Sequence, residues 1–338
     1  MHIKVLGIDI AKNIFELYGV DEHGDKVLSK RLSRSKLAKF IAQLPVCLIG
    51  MEACGGAHYW ARKFQEFGHE VKLMNPQFVK PYVKSNKNDA QDAAAICEAV
   101  TRPSMRFVAI KQIEQHDIQA VHRVRALIVK ERTALVNQVR GLLAEYGIVV
   151  AQGVHQIRKQ LPLILEDAEN ELSDRARRLF HDLYEEMVAL TNKVKQYDVQ
   201  IESLCKSHEV CQRLRKLEGV GALTATALVA SIGDAKVFKN GREMAAFIGL
   251  VPRQHSSGGK QRLLGISKRG DRYLRCLLVH GARAAITRSK KMSEKKSIWV
   301  NNIIERRGKN RAIVALANKQ ARIMWALMAK EDVYQQAV

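Results

Sequence analysis

Cysteine is scarce in this chain and badly spaced for metal binding. The 338 residues include six cysteines, at positions 47, 54, 97, 205, 211 and 276. None forms a Cys-x-x-Cys pair, and most sit in apolar runs, where a free thiol behaves as a small buried hydrophobe. Neither disulfides nor a zinc site are expected, and a reducing compartment is. Long hydrophobic runs are also missing. None reaches the roughly 20 residues that span a bilayer, and the first residues lead into an alternating strand, not into a basic start followed by an apolar stretch. A cytoplasmic protein with no membrane partner is therefore predicted. The sequence contains no internal repeat and no low-complexity tail. Acidic residues are the last scarcity: from Ala235 to Lys330 there are 23 Lys and Arg but four acids, Glu243, Asp271, Glu294 and Glu305.

What is present starts from that imbalance. The net charge is +22 with a pI near 9.9, and 19 of the 22 excess charges fall between Ala235 and Lys330. A polyanionic partner explains such asymmetry better than a merely solvated surface does, and nucleic acid comes before membrane. With 47% hydrophobic residues, the chain can bury more than one core. The expected parts are residues 1–110, 111–208 and 209–338.

The fold class expected is α/β followed by all-α. Residues 2–11, 14–20 and 26–33 are short runs rich in Val, Ile and Leu with a turn at Asp21–Gly24, which reads as an antiparallel meander. A helix over 36–44, a strand over 46–51, a helix over 57–67 and a strand over 70–74 extend it into a mixed sheet. Helical periodicity takes over from Gln112 to Tyr146, and a linker containing Gly153 and Pro162 follows. Leu179, Leu183, Met187, Leu190, Val194, Tyr197, Ile201 and Leu204 then recur at spacings of four and three, as in a coiled-coil seam or an ordinary long core helix. In the first case the protein is a homo-oligomer, a dimer or tetramer. Short helices and a Gly-rich loop come next, and a basic helix over 310–330 ends the pattern.

Four acids stand out in the first part. Asp9 interrupts an apolar strand, where a charge is costly unless something pairs with it. Glu52 ends a later strand, where ligands collect in α/β sheets. Asp89 and Asp92 open a helix with both carboxylates on one face; a helix-capping Asp89 with a first-turn Asp92 is the structural alternative. Together they suit Mg²⁺ or Mn²⁺, which prefer hard oxygen ligands, in the layout of an RNase H-like or RuvC-like nuclease. Sugar-kinase and actin-type ATPases also carry an early Asp, but they need Gly-rich phosphate loops that this sequence lacks in the corresponding places.

In the last part, Gly219-Val220-Gly221 between two helical stretches reads as a helix-hairpin-helix, whose turn offers backbone N–H groups to a phosphate, or as a plain tight turn between packed helices. Beyond it come Gly249-Leu250-Val251-Pro252-Arg253, Ser256-Ser257-Gly258-Gly259 and Ser267-Lys268-Arg269-Gly270. With Gly7-Ile8-Asp9, Glu52-Ala53-Cys54-Gly55 and Asp89-Ala90-Gln91-Asp92-Ala93, these motifs run in order over nearly the whole chain. In that order the sequence resembles the insertion-sequence one-ten transposases and their relatives, the Piv-type DNA invertases, with spellings similar to the one-one-one-one subgroup. Glu52-Ala53-Cys54-Gly55-Gly56 departs from the more usual Thr-Gly.

The resemblance implies a RuvC-like domain whose DEDD acids are Asp9, Glu52, Asp89 and Asp92, and a second domain whose nucleophilic serine matches Ser257, with Ser256 offered beside it. It further implies recombination of donor and target DNA under a structured guide RNA, in assemblies where one subunit's carboxylates meet another's serine. The sequence also shows no recognition helix with base-reading side chains at regular spacing, which sequence choice by base pairing would explain. Arg253, Lys260, Arg262, Lys268 and Arg269 are the expected phosphate contacts near the serine, with Gly219 and Gly221 at the hairpin. Two other readings stay open: a metal-only junction resolvase in which water attacks, and a non-catalytic architectural nucleic-acid binder.

Overall fold

The computed structural model describes residues 2–83, 88–288 and 292–330. The chain divides into two compact units, Met1–Ile113 and Glu114–Val338. The first holds a mixed six-stranded sheet: β1 (Val5–Ile10), β2 (Ile14–Val20), β3 (Lys26–Ser33), β4 (Leu48–Glu52), β5 (Glu70–Met74) and β6 (Phe107–Val108), in the spatial order β3-β2-β1-β4-β5-β6. The meander β1–β3 is antiparallel, β1, β4 and β5 run parallel, and β6 returns antiparallel beside β5. This arrangement is consistent with an RNase H-like domain.

Alternation along β1 sorts its residues onto two faces. Leu6 and Ile8 go to a core that also holds Leu37 and Ile41 of α1 (Arg34–Ala42) and Trp60 and Phe64 of α2 (Ala57–Glu66). Buried His69 ties this face together: its Nε2 lies 3.1 Å from the Ile41 carbonyl, and its Nδ1 accepts from the Cys47 N–H at 3.3 Å. Val5 and Gly7 face the other way. After the short α3 (Pro76–Val79) comes α4 (Asp89–Val100), which covers that face through Ala95, Ile96, Ala99 and Val100. Gly7 is what lets α4 lie flat on the sheet. A Cβ there would stand 2.2 Å from the Ala93 carbonyl oxygen and 2.5 Å from the Cys97 nitrogen, both backbone atoms.

The second unit opens with α5 (Ile113–Ala144) and continues with α6 (Val154–Glu166) and α7 (Asp174–Ser207). Where a linker is predicted, Gly153 caps α6 and Pro162 lies inside it. Proline removes the N–H that would bond the carbonyl four residues back; that carbonyl, of Arg158, instead faces the Tyr184 hydroxyl at 3.5 Å. Of the α7 seam, Met187, Val194 and Ile201 are buried within the chain, Met187 in a core with Leu135 and Val139 of α5 and Ile157 and Leu161 of α6, whereas Leu179 is 50% exposed. The remaining helices α8 (Glu209–Arg215), α9 (Ala222–Ile232), α10 (Gly241–Phe247), α11 (Arg272–Thr287), α12 (Glu294–Arg307) and α13 (Lys309–Ala329) share a separate core around Leu228, Met244, Leu278 and Leu316. Between α10 and α11 runs a two-stranded hairpin of β7 (Pro252–Gln254) and β8 (Leu263–Ile266). Among the described residues no helix is long and apolar enough to cross a membrane.

All six cysteines are free; Cys47, Cys97, Cys205 and Cys211 are buried, and Cys54 and Cys276 are exposed. Burial pushes the Cys47 and Cys97 thiols up to about 11 and Cys211 to about 12, so these three stay protonated as apolar side chains.

Candidate active site and nucleic-acid face

The acids of the first unit meet because strand register and helix placement converge. β1 and β4 are parallel neighbours with Ile8 opposite Met51, so Asp9 and Glu52 come at the carboxyl ends of adjacent strands. Both lie in alternation with the glycines that touch α4: Gly7 beneath Ala93, and Gly50, whose Cβ would press on Val100 at 2.8 Å. The first turn of α4 adds Asp89 and Asp92. Its cap is Asn88, whose side chain accepts from the Ala90 N–H at 3.1 Å; the capping role considered for Asp89 therefore belongs to its neighbour, and Asp89 is the first helical residue.

Carboxylate oxygens of Asp9, Asp89 and Asp92 lie within 4.8 Å of one another. Among the described residues none of these acids, nor Glu52, forms an ion pair with Lys, Arg or His. The electrostatic consequence is visible in the acids themselves. Burial, then the charges of Asp92 and Asp89, push the Asp9 carboxyl above its ordinary value. Burial, then Asp9 and Asp92, do the same to Glu52, which is not among the three clustered carboxylates but feels the charge of two of them. An all-oxygen donor set whose members repel one another fits a hard divalent cation.

In the second unit the serine loop is an extended tip. Ser257 and Lys260 form a β-bridge, the Lys260 N–H donates to the Ser257 carbonyl at 3.1 Å, and Gly258 and Gly259 between them have φ of +55° and +76°. Two central residues with positive φ are the mark of a type I′ turn, which explains why this tip is Gly-Gly. The two serines differ in engagement. The Ser256 hydroxyl is 2.9 Å from the Gln254 side-chain nitrogen, whereas among the described residues the Ser257 hydroxyl has no partner. Arg253, Lys260, Arg262, Lys268 and Arg269 are exposed on or beside the hairpin.

The root of this hairpin holds a residue that sequence reasoning missed. Arg275, 9% exposed on α11, donates to the Ile248 carbonyl at 3.0 Å and the Arg269 carbonyl at 2.8 Å. It thus clamps the chain entering β7 to the chain leaving β8. Gly249 reinforces the clamp: φ is +81°, and a Cβ would lie 2.1 Å from the Arg269 carbonyl oxygen. A signal did exist, because Arg275 interrupts the otherwise apolar stripe of Leu274, Leu278, Ala282 and Ala285 on α11, and a buried arginine needs acceptors.

The Gly219–Gly221 turn joins α8 to α9 as expected, but its glycines serve different ends. Gly219, at φ +80°, is pressed against α11, where a Cβ would meet the Gly281 carbonyl oxygen at 2.3 Å; Gly221 precedes the first turn of α9 with open space around it. Packing therefore accounts for the first glycine, and a close external approach is sterically open only at the second.

Comparison with known proteins fits both units. Residues 211–297 match a family profile described as "Transposase IS116/IS110/IS902 family", and residues 6–148 match a DEDD transposase profile. The chain is 49% identical over 332 residues to the transposase for insertion sequence element IS1111A of Coxiella burnetii, covering 98% of this chain and 91% of that one. The chain belongs to the IS110/IS116/IS902 family of transposases. A probable family 20 transposase of Pseudomonas aeruginosa is 47% identical, with 99% of both chains covered, and the transposase for insertion sequence element IS1328 of Yersinia enterocolitica is 42% identical, with 98% and 99% covered. Membership makes this transposase a DNA-binding enzyme of a class that cleaves and rejoins DNA, and its DEDD domain is of the divalent-metal type.

Proposed function

We propose that the chain is the recombinase of an insertion element, guided by a structured RNA, which exchanges DNA strands through a transient serine–DNA phosphodiester. The observation that carries this reading is the convergence of the Asp9, Asp89 and Asp92 carboxylates within 4.8 Å of one another, together with an exposed serine whose hydroxyl has no partner among the described residues. Asp9, Glu52, Asp89 and Asp92 would hold Mg²⁺ or Mn²⁺, and a divalent ion bound there would supply charge stabilisation to the scissile phosphate and the leaving oxygen. The Ser257 Oγ attacks phosphorus, the bond from phosphorus to the leaving sugar oxygen breaks, and that oxygen takes up a proton equivalent to the one serine loses. A DNA hydroxyl then attacks the phosphoserine and restores both the serine and a phosphodiester, so no external energy source is consumed.

Arg253, Lys260, Arg262, Lys268 and Arg269 hold phosphates around the hairpin, and the N–H groups at Gly221 hold another, with Gly219 setting the turn. Residues 1–110 supply the carboxylates, 111–208 the long helices through which copies associate as a dimer or tetramer, and 209–338 the serine and most of the nucleic-acid contact. The guide RNA rests on family resemblance and is tested by sequencing RNA that copurifies with the protein; absence of one defined species would remove it.

Trapping tests the central step. A stalled reaction, denatured and digested with protease, is expected to yield a nucleotide-bearing peptide containing Ser257. Ser257→Ala should abolish strand exchange while keeping DNA binding, and Ser256→Ala should be milder. No adduct, together with an active Ser257→Ala enzyme, would give the chemistry to water at the acid cluster, as in a junction resolvase.

A further inference from the structure

A cavity of about 1150 Å³ opens in the second unit between α10, α12 and α13 and the root of the Ser257 hairpin, where Pro252 and Ile266 contribute to its wall. Its lining contains four cationic side chains, Arg242, Arg311, Lys319 and Arg322, and no acid. Among the described residues none of the four forms an ion pair. Their placement is built in. Gly241 lets the start of α10 come down on α13, where a Cβ would lie 2.8 Å from the Arg322 carbonyl oxygen, and this draws Arg242 and Arg322 into one wall. Asn318 donates to the Leu250 carbonyl at 3.2 Å and the Trp325 indole N–H to the Ala235 carbonyl at 3.1 Å, so the flanks are tied to neighbouring segments.

Trp299 completes the wall. The Lys319 ammonium sits 4.5 Å from its ring centroid, and the indole is only partly buried. A cation lying over a part-exposed aromatic ring offers a partner to each half of a nucleotide, phosphate and base. The volume exceeds the roughly 300–1,000 Å³ of small-molecule pockets, and charges spread along α13 from Arg311 to Arg322 suit several successive phosphates better than one anion.

We infer that this cavity is a binding groove for a single strand of DNA, which stacks one unpaired base at Trp299 and leads its backbone to the root of the Ser257 hairpin. The inference rests on the nucleic-acid reading above. It adds that the strand is locally single, because duplex bases are already stacked and offer no free face to the indole.

The test uses the full-length protein and a fluorescein-labelled mixed-sequence single-stranded DNA, with the matching duplex and the RNA of equal sequence run alongside. Trp299→Ala is expected to weaken single-strand DNA binding about tenfold, with Trp299→Phe close to wild type. The double variant Lys319→Gln, Arg322→Gln should lower the single-strand salt slope by about 1.4. Arg178→Gln, Lys195→Gln, which removes the same charge from the exposed surface of α7, should not lower it. Lys319→Gln alone leaves the indole in place and guards against a Trp299 variant that fails to fold. Equal losses on single strand and duplex, losses confined to RNA, or wild-type binding by both Lys319→Gln and the double variant would each overturn the groove. A wild-type protein that binds none of the three probes would overturn the nucleic-acid reading itself, whereas groove variants with unchanged binding sink only the groove.

Discussion

In the first unit the candidate reactive groups stand on elements pinned by packing: Asp9 and Glu52 end two paired strands, and Asp89 and Asp92 begin a helix laid directly on those strands over Gly7. In the second, Ser257 stands at the tip of a two-stranded hairpin whose residues are exposed, and the rigidity lies at the root, where Arg275 and Gly249 clamp the two chains. The charges differ in the same sense. The first unit gathers three carboxylates into one spot, and the second carries most of the chain's excess positive charge. A site that must hold small ions needs fixed oxygens within a few ångströms, whereas a group that must reach a polymer's backbone needs exposure and a cationic surround. The comparison teaches that one chain can be stiff where coordination demands it and extended where access does.

The strongest way to break that comparison is Asp9→Asn. Recombination should fall at least about a thousandfold if the acids hold the ion, since a metal's electrostatic contribution is several kcal/mol, while nucleic-acid binding is retained. Thermal melts sharpen it. Asp9 has a folded-state value raised by burial and by its neighbours, so its contribution to stability is present at low pH and is lost as pH rises through that value. Metal-free Asp9→Asn protein should therefore melt no lower than wild type at neutral pH, but should lose the stabilisation that Mg²⁺ confers on wild type.

Gly7→Ala asks whether the first unit's precision depends on backbone contact rather than on the acids alone. The added methyl must displace α4, which should cost about 3 kcal/mol and weaken the Mg²⁺-dependent rise in melting temperature with every carboxylate intact. An unchanged metal response would show that α4 need not lie flat.

A comparable loss in the second unit is expected from acid. His122 is buried between the Tyr273 hydroxyl at 3.0 Å and the Thr226 hydroxyl at 2.9 Å. Burial, then the charge of Arg125, lower it to about 4. A depressed histidine gives stability that is whole above its unfolded value near 6.5 and is lost as pH falls toward about 4. The loss should reach about 3 kcal/mol, read by chemical denaturation across that range. His122→Gln should flatten the profile; a flat wild-type profile would contradict the assignment.

The smallest effect expected is at the clamp. Arg275→Met leaves two carbonyls without a donor and should cost about 2 kcal/mol. Strand exchange should drop more than DNA affinity does, because the hairpin's aim is disturbed and its charges are not. Equal losses in both would make Arg275 a purely structural residue.

Much of this was legible beforehand, for local reasons. Alternation drew the meander, and β5 was placed to the residue, because period-two patterns are set by which face is buried. Two-residue β6 carried too little pattern to be read, and α6 was hidden because Pro162 argues against a helix unless another donor, here Tyr184, serves the freed carbonyl. The motifs singled out Asp9, Glu52, Asp89, Asp92 and Ser257, yet spacing alone did not separate Ser256 from Ser257. Gln254, two residues back along the chain, engages Ser256, and that is a property of side-chain direction.

The sequence by itself determined which family this chain belongs to, which residue types it offers for chemistry and which half carries the charge, since these depend on identity and order alone. Tertiary structure decided the rest: that Gly7 and Gly50 admit α4, so that acids some 80 residues apart in sequence share one few-ångström site, that Gly219 answers to Gly281, and that Arg275 holds the root of the serine hairpin. Each of these is a contact between segments distant along the chain, and such contacts depend on which backbones can approach closely, a condition that no local pattern of residues encodes.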